Sequence, residues 1–436
     1  MRLAIERSTL DNGLSVVLDR DASAPTVTVG VLYRCGARDE PAGQSGIAQL
    51  LAAMSFEGGK HLRPGQHSQL VARRGGHSSA SVDHDRTLFL DELPGNELSL
   101  GLWLEAQRMR WATLPASRLP AVRRAAEAHA QRALAAPLAH AELRLGELAF
   151  QGLLPYSQPA LGVPDEIAHT GARQIKALYG RCYRPENAVL VVAGSFDPER
   201  AMGLVHHHFD PIVRHKRAPN RLPLSAPHQT SERFSVLGSA RAESAALFNA
   251  WVIPPPHSAG HDALELLARV LGDGESSRLY DSLVRVHGLA RDVSAWTEGR
   301  HGPDLLGIRV LLAAGANPDR VQKLVDAELA RLSRHAPGAA ELEKARARER
   351  TEFLLGLQSN RQRAARLAEA EAFDGDARSI ANELAGFESV TASGVAGAAA
   401  KYLTARHRTV VELQEPPPPE AKHHHTAKHH AKKAGR

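Results

Sequence analysis

The sequence predicts an α+β protein of two homologous domains, each a mixed β-sheet packed with helices. Three observations point there. The order of strand and helix patterns in the first 200 or so residues returns in the second at an offset near 215. Apolar strand-like runs of seven or eight residues sit between longer stretches of helical periodicity. The chain, 436 residues with 43% apolar and 23% charged side chains, is long enough to bury two cores.

The elements follow in order. Residues 9–20 (TLDNGLSVVLDR) read as a hairpin, with a D-N-G turn and then alternating apolar residues. A strand at 26–33 precedes an apolar helix in 46–59 (GIAQLLAAMSFEGG). A short helix, a Gly75-Gly76 break and two strands come next, and 96–111 reads as an amphipathic helix with Leu98, Leu102, Leu104 and Met109 on its apolar side. Helices at 117–135, 140–150 and 172–179 lead to the strand 188–194. In the second half, a strand at 245–253 is followed by helices at 261–271 and 277–287 and strands near 290–298 and 305–312. The helix after Asn317 matches the one after Asn96, each asparagine reading as an N-cap. Helix 339–357 answers 117–135, and strand 408–413 answers 188–194. The domains are therefore expected at 1–215 and 233–414. Residues 415–436, with a PPPP run and a His/Lys-rich end, hold nothing to bury and read as disordered.

Charge and composition exclude several classes. Of the net +6, five positive charges lie in 421–436 (Lys422, Lys428, Lys432, Lys433, Arg436), so the rest of the chain is nearly neutral. A nucleic-acid role would rest on that tail alone, and none is expected. No apolar run reaches the roughly 20 residues of a membrane span. The opening MRLAIERSTLDNG has no apolar signal core, which reads as cytoplasmic by default, or periplasmic if a leader has been removed. Cys35 and Cys182 are far apart with no C-x-x-C pair and read as two free thiols.

The stretch 46–59 closely resembles the zinc-site helix of the insulinase-like (pitrilysin) metallopeptidases, which carry H-x-x-E-H in the frame G-x-A-H-x-x-E-H-x-x-F-x-G. In that motif two histidines four apart share a helix face and bind zinc, and the glutamate activates water. Here those positions read Gln49, Ala52 and Ala53. GGHSSASVDHDRTLF, LWLEAQRMR, YRPENAVLVVAGSFDPE and LGDGESSRLYDSLVRVHGLA resemble further stretches of the same family in the same order, so the resemblance covers nearly the whole chain. It implies the insulinase/mitochondrial-processing-peptidase-like fold.

The resemblance also assigns sites. Glu127, 74 residues after Ala53, matches the family's third zinc ligand. Alone it cannot hold zinc, because a catalytic site uses three protein ligands and a water. Its bland reading is a helix glutamate salt-bridged to Arg123 and Arg124. Without the motif glutamate no general base is present. Arg278 and Tyr280, in SSRLY, match an Arg-Tyr pair that dimeric family members present to the substrate backbone; both side chains donate hydrogen bonds to carbonyl oxygen. The alternative is a surface arginine and a half-buried tyrosine. Among the other histidines, His257 and His261 stand four apart, but Pro254–Pro256 and Gly260 put that segment in a loop. His206, His207 and His208 read as a helix end. His77, Asp83, His84 and Asp85 could cluster if their strands pair. The tail histidines would bind divalent metal loosely.

The implied function is that of a non-catalytic, substrate-binding subunit of an insulinase-like metallopeptidase, inactive alone. It would hold no cofactor itself and pair with a zinc-bearing subunit of the same family, supplying Arg278 and Tyr280 to a bound peptide. The alternative is a purely structural pseudopeptidase resembling core subunits of the respiratory complex that oxidises quinol.

Overall fold

The computed structural model describes residues 4–214, 223–238 and 245–414, so the tail and part of the expected linker lie outside the described residues. In the first half, β1 (Ile5–Thr9) and β2 (Ser15–Arg20) form the expected hairpin, with Gly13 at φ +89° in its loop. Strand β3 (Thr26–Tyr33) leads into helix α1 (Ile47–Met54), then α2 (Gln66–Arg73), β4 (His77–Val82) and β5 (Thr87–Pro94). Helices α3 (Leu98–Trp111), α4 (Leu119–Leu134), α5 (Ala139–Ala149), α6 (Ala172–Cys182), then β6 (Ala188–Gly194) and α7 (Pro198–Phe209) complete it. The second half contains β7 (Arg233–Gly238), β8 (Ala246–Ile253), α8 (His261–Gly272), β9 (Ala290–Thr297), β10 (Asp304–Leu312), α9 (Pro318–Arg334), α10 (Ala339–Leu355), α11 (Asn360–Phe373), α12 (Ala392–Tyr402) and β11 (Arg408–Gln414).

The internal repeat is written into the sheets. The first runs β1-β2-β6-β3-β5-β4 and the second β7-β11-β8-β10-β9. Leaving out β1, corresponding strands occupy corresponding places, and in both sheets the edge-side pair (β2 with β6, β7 with β11) is parallel while the rest is antiparallel. Asn317 caps α9 through Arg320 N at 3.2 Å, as expected. Asn96 does not cap α3; it lies in a short 3-10 turn, and α3 begins after Glu97 without a side-chain cap.

Each half contributes cover to the other. Alternate residues of a strand face opposite sides of a sheet. Val16, Leu18, Val27, Val29 and Val31 face the first half's own helices. Val17, Leu32, Leu90, Val189 and Val191 point the other way, onto Ala364, Leu367, Ala368 and Ala372 of α11, a helix from the second half. Conversely, Ala141, Leu145 and Ala149 of α5 cover Ala246, Phe248, Val411 and Leu413 of the second sheet. Both faces of each sheet are therefore covered. Polar contacts fix the crossing helices: Arg363 pairs with Asp19 at 2.7 Å and Asp21 at 2.6 Å, and Arg144 Nε donates to Ser235 Oγ at 3.3 Å.

The cysteines are not free. Cys35, just after β3, and Cys182, at the end of α6, form a disulfide with Cα atoms 5.8 Å apart, within the normal range. Their separation of 147 residues hid the pairing. The segment read as a single helix over 277–287 is one α turn, Arg278–Tyr280, followed by wider turns over Asp281–Val286, with His287 N bonded to Ser282 O at 3.1 Å.

Because Leu367 is fully buried between α11 and the first sheet, Leu367→Ala is expected to lower unfolding free energy by about 2–5 kcal/mol. Denaturant titration measures it, and a loss below about 1 kcal/mol would contradict this account of the crossing helix.

Candidate functional site

The site is built on α1. Gly46 has φ +93°, and a Cβ there would stand 2.5 Å from Ile167 Cγ1, so only glycine fits at this entry to the helix. Glu40 caps the first turn, its carboxylate accepting from Gly46 N at 3.0 Å and Ala48 N at 2.8 Å. Ile47, Leu50, Leu51 and Met54 are buried in the first core, and Phe56 packs edge-on to His67 at 5.2 Å. The frame residues thus hold the helix in place.

Of the three motif positions, Ala52 alone packs in that core. Ala53 is exposed, Ala52 is buried, and half-buried Gln49 donates weakly to the Val82 and Ala160 carbonyls at 3.4 and 3.5 Å. Together with Phe56, Ser78 and Val82 they line an open cavity of about 300 Å³ between α1 and β4, the edge strand of the sheet. Two alanines provide no donor atom, so these residues do not fit a zinc ion, and no step through zinc can be derived for this chain. Glu127, on α4 beside α1, accepts from Gln131 Nε2 at 3.1 Å. Arg123, expected together with Arg124 to pair with it, donates instead to the Thr170 carbonyl at 3.2 Å.

Arg278 and Tyr280 sit elsewhere. Arg278 makes a two-bond fork with Glu341, at 2.8 and 2.9 Å, and a third bond to Glu328 at 3.2 Å. These partners lie on α10 and α9 of its own half, and Arg278 holds the Glu341 carboxyl below its usual range. Tyr280 is half-buried, with the Arg285 guanidinium 5.9 Å from its ring centre. His77 does not join Asp83, His84 and Asp85: it pairs with Glu92 at the opposite end of the β4–β5 hairpin. Asp85 instead ties the seam between the halves, accepting from Tyr156 Oη at 2.8 Å, Arg38 at 3.0 Å and His301 N at 3.1 Å. His206 closes the end of α7 through Asp210 at 3.0 Å, as read from sequence.

A charged cluster missed in the sequence lies directly beneath the cavity. His67 Nε2 is 2.9 Å from Asp91, Ser78 Oγ donates to Asp91 at 2.6 Å, and Arg108 pairs with Glu105 while lying 4.0 Å over Phe89. All four charged or titratable residues are buried. Helix α3 is therefore not amphipathic, because its polar side is buried too. The one available signal was Glu105 and Arg108 three apart in LWLEAQRMR. Among the described residues His67, Asp91 and Glu105 form the one group of three with metal-ligand spacing. Arg108 Nη2, 3.1 Å from His67 Nε2, already supplies the positive charge a metal would bring.

The pattern of residues and folds decides the family. Residues 15–155 match the insulinase family (peptidase family M16), and 171–349 match the peptidase M16 inactive domain. The chain belongs to the insulinase family. A zinc protease named PqqE from Helicobacter pylori is 29% identical over 364 residues, covering 81% of this chain and 80% of that one. The crystal structure of a protease from Helicobacter pylori superimposes with a TM-score of 0.88 at 24% identity, covering 95% of this chain and all of that one. The periplasmic protease PqqL from Escherichia coli matches in fold with a TM-score of 0.77 at 17% identity. There 94% of this chain corresponds to 47% of a longer one, so the two-domain insulinase fold also occurs as half of a larger chain.

Burial pushes Glu105 up to about 8, with Arg108 pulling down and Asp91 pushing further up. Between the ordinary carboxyl value and about 8 the folded protein holds a proton that the unfolded chain releases. The resulting stability is intact in acid and lost as pH rises through about 8. The wild type is expected to lose more stability than Glu105→Gln, by about 1 kcal/mol per pH unit between pH 6 and 8. Denaturant unfolding at several pH values checks this; equal slopes for both proteins would mean that Glu105 is ionised throughout.

Proposed function

We propose that this chain is a non-catalytic, substrate-binding subunit of an insulinase-family metallopeptidase, working with a zinc-bearing partner subunit of the same family that cleaves peptides. One observation carries the reading. The zinc-site helix is held in its full structural frame while the positions that would bind metal and activate water are Gln49, Ala52 and Ala53. No general base stands there to draw a proton from water, so the chain alone does not hydrolyse peptides.

The surrounding surface supports a binding role. Among the described residues strand β4 ends its sheet, with no strand on its outer edge beside the cavity. An extended peptide adding to that edge gains backbone hydrogen bonds with little demand on its sequence. The correspondence of this chain to one half of a longer protease supports pairing with a second unit of the same fold. Zinc and the water-activating glutamate come from that partner. Arg278 and Tyr280 complete the proposal as donors to the peptide carbonyls. For Arg278 this requires exchange of Glu341 or Glu328 for the peptide, since its donors are now engaged by those carboxylates.

The test is cleavage of an unstructured peptide by this chain, by a zinc-bearing family member from the same source, and by the mixture, with and without chelator. Chelator-sensitive cleavage greatest in the mixture is expected. Arg278→Ala and Tyr280→Ala should each lower it by about 10-fold or more, the scale of a lost transition-state donor. A partner fully active alone and indifferent to both variants would leave this chain a structural subunit.

A further inference from the structure

A cavity of about 750 Å³ lies in the other half of the molecule, away from α1. It opens between α8, the end of α10, α11 and the segment after it, and six carboxylates line it: Asp262, Glu265, Glu349, Glu352, Asp374 and Glu383. Four of them are answered. Arg269 bonds Glu349 at 2.6 Å and Glu352 at 3.1 Å. Arg366 reaches Glu383 at 3.4 Å, and Asp374 has His257 at 3.6 Å and Ser379 Oγ at 2.9 Å. Among the described residues no lysine or arginine pairs with Asp262 or Glu265.

Beside those two stands His261, 1% exposed, the first residue of α8. Its Nδ1 lies 2.9 Å from the Pro254 carbonyl, which can only accept, so Nδ1 carries the hydrogen and the ring is fixed. His261 lines the cavity, and its Nε2 is buried without a hydrogen bond of good geometry; burial disfavours the charged ring but Glu265 beside it favours it, so an ion at Nε2 displaces a proton and takes the lone pair. What faces it is negative: Glu265 Oε1 at 3.4 Å and Asp304 Oδ2 at 3.9 Å. Two donors on one ion at about 2.1 Å each, at a tetrahedral angle, stand about 3.4 Å apart. A histidine whose other nitrogen is tied to a backbone carbonyl is also the usual arrangement around a bound metal. His261 and Glu265, four apart on one helix, share a face.

We propose that this cavity binds a divalent transition-metal ion between His261 Nε2 and Glu265 Oε1. Asp262 and Asp304 balance its charge, and water fills the remaining positions. The site lies outside the degenerate zinc motif and is independent of any peptidase partner.

Thermal unfolding of the full chain, stripped with chelator and then titrated with Mn²⁺, tests it. An ion bound in the folded cavity raises the melting temperature, and Glu265→Gln, which keeps the histidines of 423–430, separates that site from binding by them. A rise of about 3 °C or more is expected for the wild type and none for Glu265→Gln. His261→Gln should lose it too; because His261 is buried, Glu265→Gln decides if that variant does not fold. No rise in the wild type, an undiminished rise in Glu265→Gln, or an equal rise with Mg²⁺ would overturn the proposal, the last showing only diffuse attraction by carboxylates.

Discussion

Each sheet of this molecule has two apolar faces and only one layer of its own helices. That constraint organises the rest. An apolar sheet face left open to water is unstable as a monomer surface, and the chain resolves it by exchange: α5 crosses to the second sheet and α11 to the first. Neither half buries its sheet alone. Asp85 then closes the seam with Tyr156, Arg38 and the His301 backbone, joining three distant segments through one buried carboxylate. The two halves are homologous in strand order but not independent in packing.

The same economy explains how a catalytic frame outlives its chemistry. Gly46, Leu50, Leu51 and Phe56 are required by backbone conformation and core packing, whether or not a metal is present. Gln49 and Ala53 border a cavity, where a change of side chain leaves no buried group unpaired and opens no hole in the core. Substitution there costs the fold little. Beneath, His67, Asp91, Glu105 and Arg108 form a buried polar layer that packs on Phe56 and reaches the start of β4 through Ser78, so the cavity keeps its shape without a metal to brace it.

Several features were beyond a linear reading for identifiable reasons. The Cys35–Cys182 bond joins segments brought together by β3 and β6 pairing side by side, and nothing local marks it. Burial of Glu105 and Arg108 depends on α2 and β5 arriving to supply His67 and Asp91; on a helix wheel the same residues look solvated. Asn96 and Asn317 occupy equivalent sequence positions, yet only the second caps, because a 3-10 turn shifts the start of α3 past Asn96. His261 reads as a loop residue beside prolines, and its pairing with Glu265 appears only once Gly260, at φ +89°, starts α8 at that point.

By itself the sequence determined the two-fold α+β plan, the places of most strands, the family frame around α1 and the absence of donors at Ala52 and Ala53. These depend on local periodicity, glycine conformation and side-chain chemistry, which a linear pattern carries. Only the tertiary structure decided which helix covers which sheet, what Arg278 touches, and which titratable groups share a buried space. Those outcomes depend on contacts between residues hundreds of positions apart, such as Arg7 with Glu371 or Arg363 with Asp19. No local propensity encodes such pairs, because the energy that selects them arises only when the two halves pack.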